Sequence, residues 1–199
     1  MSAQQLADAC ARLGLPLSRS ALANFESGRR PTVSLAEVLV LGKALGVPPI
    51  ELVFPVGRQE LVEVLPGQEM GTWQSVKWFA GEDSFAVRGP NGKWYGTDEN
   101  EQAHQESATY YYRWHDIYMK QCVDALSAAK GARKAAGVAA TEAEQQAHLR
   151  HAKSEDAQYR VCRKLLRDHR ADMRRRDVTP PDLRGKAFEN IDDQAEEPA

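Results

Sequence analysis

The sequence predicts a mainly α protein in three parts. These are an N-terminal bundle of short helices, a small α+β middle segment with a β-hairpin, and a C-terminal long helical hairpin. Three observations predict this. Apolar residues recur at three- and four-residue steps over both ends of the chain. Capping patterns stand at Ser2, Ser34 and Thr141, ahead of those periodic runs. Short β-favouring runs divided by Gly and Pro turns are confined to residues 59–103.

Ser2-Ala3-Gln4-Gln5 has the S-x-x-Q form of a capping box, opening a helix to about Arg12 with Leu6, Ala9 and Cys10 on one face. Gly14 and Pro16 end it. Ser18 can cap a second helix, Arg19 to Ser27, with Leu22 and Phe25 as its apolar side and Gly28 as terminator. Ser34-Leu35-Ala36-Glu37 opens a third helix with a broad stripe of Leu35, Val38, Leu39, Leu41 and Leu45, stopped by Gly46. Pro48 and Pro49 suit the first turn of a short fourth helix through Phe54.

The middle segment should hold three short strands. Leu61 to Leu65 ends at Pro66-Gly67, and 85–88 pairs with 93–95 across Asn91-Gly92. Trp73, Trp78 and Phe79 should cover this sheet, and Trp94 and Trp114 read as packing anchors. From about His104 the helical step returns through Tyr111, Trp114, Tyr118, Cys122, Ala125 and Ala129, with a bend expected over 131–140. Thr141-Glu142-Ala143-Glu144 starts a long helix to about Arg176, so two antiparallel helices are expected. Residues 181–199 read as an acidic, disordered tail. The expected domains are therefore 1–58, 59–103 and 104–180, followed by that tail.

Composition narrows the function. The chain has 199 residues, 42% hydrophobic and 27% charged, with no apolar run of membrane-spanning length. Met1 to Gln5 has neither the basic nor the apolar region of a secretory signal. Cys10, Cys122 and Cys162 are an odd, sparse set, which fits free buried thiols in a reducing cytoplasm. The net charge of −2 is segregated. Residues 1–58 carry +2, 59–103 −5, 104–176 +6 and 177–199 −5. A basic head and a basic helical region suit a polyanion partner. The row Arg160, Arg163, Lys164, Arg167, Arg170, Arg174, Arg175, Arg176 reads first as the charged face of a helix pair. His148 and His151 lack the company a metal site needs, so neither metal nor cofactor is expected. No nucleophile elbow, phosphate loop or zinc-protease motif occurs, and the chain is expected not to be an enzyme.

The informative unit is Ser2 to Phe54. If Leu22 and Phe25 anchor the second helix, Arg19, Ser20, Ala23 and Asn24 project away. Arg can bond guanine bidentately and Asn adenine. Ser18 leaves a helix N-terminus for a phosphate, and Arg29 and Arg30 follow as backbone grips.

These residues resemble the lambda-repressor/Cro-type, XRE-like, helix-turn-helix regulators. The match runs through Ser2 to Ala7, Ser18 to Arg30 as S-R-S-x-L-x-x-F-E-x-G-x-R, then Leu35, Leu39, Ala44-Leu45-Gly46-Val47 and Leu52-Val53-Phe54, about a quarter of the chain. It implies a compact helical domain setting Arg19 to Asn24 in a major groove of double-stranded DNA. It implies a structural role for Glu26 toward Arg30. The family has Gln where Ala3 stands, so Gln4 or Gln5 would supply that phosphate contact. The turn before Ser18 is longer than the family's. The family also has a helix before the position of Ser2. Its lack is expected to expose parts of Leu6, Cys10 and Leu41 and to leave the head weakly stable. The expected protein is a dimeric, repressor-like transcriptional regulator, its helical hairpin serving as a coiled-coil-like dimer contact. The alternative is an interaction module whose head no longer binds DNA tightly and whose hairpin docks a protein partner.

Overall fold

Ser2 accepts the N–H of Gln5 while the Gln5 side chain accepts the N–H of Ser2, a complete capping box that opens α1, Ala3–Arg12. The computed structural model describes residues 1–89 and 91–193. It divides into two units, Met1–Asn100 and Glu101–Ala199. The fold is mainly helical, as the periodicity predicts, with small hairpins in the middle and long helices after them.

In the first unit α1 is followed by α2 (Arg19–Glu26), α3 (Leu35–Leu45) and α4 (Ile50–Val53). Ala7, Cys10, Leu17 and Leu22 form the buried cluster, with Leu6, Phe25, Val40, Leu41 and Ala44 against it. The α3 stripe is only partly buried. Val38 is covered, whereas Leu35 and Leu39 are 66% and 51% exposed. The buried arc runs through Glu37, Val38 and Gly42, and Leu35 and Leu39 lie one turn apart on another row. Gly42 is where the chain closes up: an added Cβ would meet Pro49 at 2.9 Å. Nor is Cys10 exposed, as the missing-helix expectation held. It is fully buried, and Leu6 and Leu41 are half-buried.

The middle contains four strands, not three. β1 (Leu61–Leu65) pairs antiparallel with β2 (Gln68–Gly71), and β3 (Ala86–Arg88) with β4 (Trp94–Gly96), as separate two-stranded sheets. Pro66-Gly67 ends β1 as expected and also turns the chain directly into β2, with Gly67 at φ +73°. α5 (Thr72–Phe79) follows. Pro90 of the expected hairpin lies outside the described residues. The expected boundary at 58 does not divide the structure. Phe54 is buried and meets Phe79 edge-on at 5.7 Å, so head and middle share one unit.

The second unit begins within α6 (Asp98–Gln105), a helix the sequence reading missed. α7 (Ala108–Ala136) and α8 (Glu142–Arg175) then run antiparallel. Contacts from Tyr111 to His169, Gln121 to Cys162 and Arg133 to Asp156 fix the direction. The expected bend narrows to 137–141, because α7 continues through Gly131 to Ala136. Ala125, Ala129, Ala132 and Ala136 are all buried on its inner side, and alanine is the strongest helix former. Cys122 and Cys162 are free and buried in the hairpin core. Burial, then the neighbouring Cys162, pushes the Cys122 thiol up to about 11. Cys122 is therefore expected to resist an aromatic disulfide reagent at neutral pH until the unit unfolds, which a thiol titration with and without denaturant checks.

The expected disorder does not hold for residues 181–193. A 3-10 turn at Lys186–Phe188 lies on the hairpin, with Phe188 and Ile191 buried in its core. Asp192 accepts from Arg170 through both carboxylate oxygens at 2.8 Å and meets Arg174 at 2.7 Å. Residues 194–199 of the expected tail lie outside the described residues. Composition misled here because two apolar anchors and one aspartate suffice to hold an otherwise polar strap.

Arg170 is buried and also donates to Pro181 O at 2.7 Å and to His115 Nε2 at 2.9 Å. Burial first, then Arg170 and His169 against the opposing pull of Asp116, holds His115 below its ordinary value. A depressed histidine stabilises fully above its unfolded value of about 6.5 and loses that contribution as pH falls through its folded value. Denaturant midpoints of this unit should thus decline from pH 7 toward pH 5. The slope should flatten in His115→Gln.

Candidate nucleic-acid interface

Ser18 caps α2 by accepting the N–H of Ala21 at 3.1 Å, and its hydroxyl lies 2.9 Å from that of Ser20. Leu22 is 4% exposed and Leu17 is buried beside it, so one side of the helix is anchored. Three and four residues per turn then put Arg19, Ser20, Ala23 and Asn24 on the free side, and all four are exposed. Ser18, Arg29, Gln4 and Gln5 are also exposed. Among the described residues neither Arg19 nor Arg29 is in an ion pair. Such a face offers one arginine fork, one amide and one hydroxyl to an edge of donors and acceptors.

Several expected site residues have internal work. Gln5 is held in the α1 capping box, and Gln4 donates to Asp8 at 2.8 Å. Ser18 uses its hydroxyl on Ala21, which leaves less of the N-terminus to an anion than expected. Asn24 keeps its side chain outward while its carbonyl accepts the N–H of Arg30 at 3.1 Å. That bond folds the chain after α2 back upon it.

Arg30 is the main correction. It does not pair with Glu26, which is exposed, and it does not extend outward as a grip. Its guanidinium lies 4.4 Å over the Phe25 ring and meets both Glu37 oxygens, at 2.9 and 3.1 Å. Glu37 is buried, and its own α3 capping box supplies the Ser34 N–H at 2.8 Å. That N–H first, then Arg30, holds the Glu37 carboxyl below its ordinary value against the opposing effect of burial. The sequence reading saw Glu37 only as a cap. The link to Arg30 spans seven residues and runs from the loop after α2 to α3, so no local spacing rule could find it. Arg30→Ala is expected to lower the melting temperature of the first unit by removing this link, and to change DNA base preference less than Arg19→Ala does. Paired melts and titrations check this.

No helix among the described residues is long and apolar enough to cross a membrane. Comparison with protein-family models, curated proteins and solved structures finds no match to this chain. The family likeness therefore rests on the α1–α4 residues alone.

Proposed function

We propose that this chain is a cytoplasmic, sequence-specific, DNA-binding transcriptional regulator, repressor-like and dimeric, that sets Arg19–Ser27 in the major groove. One observation carries the reading: α2 is anchored through Leu22 while Arg19, Ser20, Ala23 and Asn24 all face solvent. Arg19 would read guanine, Asn24 adenine, and Ala23 would meet a thymine methyl. Arg29 and the Ser18 end of α2 would hold phosphates. A homodimer through the helical hairpin would set two such helices in successive grooves, about 34 Å apart. A monomer at working concentration in light scattering would rule that dimer out. Free cysteines suit a reducing compartment, and no catalytic set supports an enzyme.

The test is a fluorescence titration of the full chain with duplex fragments at several salt concentrations. The two Arg29 side chains of a dimer, one phosphate each, should give a slope of log K against log salt of about −2 or steeper. No binding, or a slope near zero, would contradict the proposal. The second reading, a module that docks a protein partner on the hairpin, is favoured by Val161 and Leu165. They lie one turn apart on α8 and are 54% and 43% exposed. The same titration separates the two.

A further inference from the structure

The helical unit contains an aromatic concavity that the DNA reading does not use. It is about 430 Å³, opens between α6, α7 and α8, and lies wholly within Glu101–Ala199. That volume falls in the range of small-molecule sites. Its walls are a closed circuit of ring contacts. Tyr110 meets Trp114 at 6.1 Å, Trp114 meets Tyr118 at 5.5 Å, and Tyr118 meets His169 at 5.4 Å. His169 then stacks on Tyr111 at 5.6 Å, and Tyr111 returns to Tyr110 at 5.8 Å. His169 Nε2 donates to the Tyr111 carbonyl at 2.8 Å, which holds its ring upright in the circuit.

Helix packing alone does not account for this arrangement. Rings recruited only to fill a core close upon one another and are buried. Here Tyr111 is buried, but Tyr110, Trp114, Tyr118 and His169 stay half-exposed around the open space. Aromatic faces carry negative charge density and attract flat π systems and cations. The rim's carboxylate without an arginine partner has the same sign. Glu106 is exposed there, its carboxylate bonded to the Gln102 amide at 3.0 Å. Asp172, also on the rim, is already paired with Arg175 at 3.0 Å and with Arg176, which leaves Glu106 as the acidic group facing the space. Among the described residues, the one full cation lining the space, Arg176, is 3.5 Å from Asp172 and sits 5.5 Å from the Tyr111 ring centre. A planar, delocalised cation thus already rests on one wall, which is a direct indication of what that wall accepts.

We infer that this concavity is a binding site for a flat aromatic organic cation, stacked on Trp114 beside the inclined Tyr110 ring, with its charge turned toward Glu106. An anion is disfavoured because its only positive partner is Arg176, already held by Asp172. The inference does not rest on DNA binding by α2, and its test contains no DNA.

The test titrates the full chain with ethidium, a flat aromatic cation, and compares uncharged phenanthridine and the flat anion pyrenesulfonate. Ethidium should saturate one site and bind about tenfold or more tighter than phenanthridine, with pyrenesulfonate weaker still. Trp114→Ala should weaken ethidium about tenfold or more, and Trp114→Phe should restore most of the loss. Glu106→Gln, on an exposed side chain that cannot disturb the fold, should weaken it about threefold or more and narrow the gap to phenanthridine. Trp73→Ala, in the other unit, should change nothing. Three results would overturn the site: no saturation by about 1 mM, equal binding of ethidium and phenanthridine, or unchanged ethidium binding in Glu106→Gln. If Trp114→Ala melts early, the Glu106→Gln and phenanthridine comparisons decide alone.

Discussion

Arg19→Ala and Asn24→Ala are each expected to weaken specific DNA binding by about 1–3 kcal/mol, from roughly fivefold to over a hundredfold. The reason is geometric. Both side chains stand on the free side of α2, and neither is needed by the core that Leu22, Leu17 and Cys10 build beneath them. Their loss should leave the melting curve within about 0.5 kcal/mol of the parent. Competition titrations against a labelled specific duplex measure the first quantity, and denaturant unfolding the second. A large loss of stability in either variant would mean the helix is seated differently from this structure. Unchanged affinity in both, with folding intact, would remove α2 from the interface.

Leu166→Ala should cost the helical unit about 2–5 kcal/mol. Leu166 has no exposed surface and sits in one cluster with Cys122, Cys162, Phe188 and Ile191. Truncating it opens a cavity where α7, α8 and the C-terminal strap meet, so the strap should loosen with the hairpin. Leu165→Ala, one residue away and 43% exposed, is the matched control and should fall within about 0.5 kcal/mol of the parent. Denaturant unfolding followed by helical circular dichroism gives both numbers. Similar costs at 165 and 166 would mean that α8 presents a different face to α7.

Local rules carried the N-terminal bundle and both long helices. The boxes at Ser2, Ser34 and Thr141 cap their helices as their spacing requires, because capping involves residues only three apart. Gly28 and Gly46 adopt the left-handed φ that helix ends need. What stayed hidden depends on distant partners. β2 carries one buried side chain of length, Met70, so its alternation is too short to read. α6 is polar at seven of its eight residues, Ala103 apart, with nothing buried to mark a face. The strap at 181–193 looks unfolded by composition and is held by Arg170, some twenty residues earlier in the chain.

The candidate interface divides in the same way. Arg19, Ser20, Ala23 and Asn24 were legible because helical period decides which side faces out once Leu22 is anchored. Arg30 was misread because Phe25 on α2 and Glu37 on α3 capture it from both sides of its loop. The aromatic circuit was half legible: Tyr111, Trp114 and Tyr118 follow the helical step, but His169 arrives from α8. Only the antiparallel register of the two helices brings it there.

The most direct test of the central claim is selection of a random duplex pool by the full chain, repeated with Asn24→Ala and Arg19→Ala. Expected is an enriched motif in the parent that loses preference at an adenine position in the first variant and at a guanine position in the second. No enriched motif in the parent, or one that both variants reproduce unchanged, would contradict a reading role for the exposed side of α2.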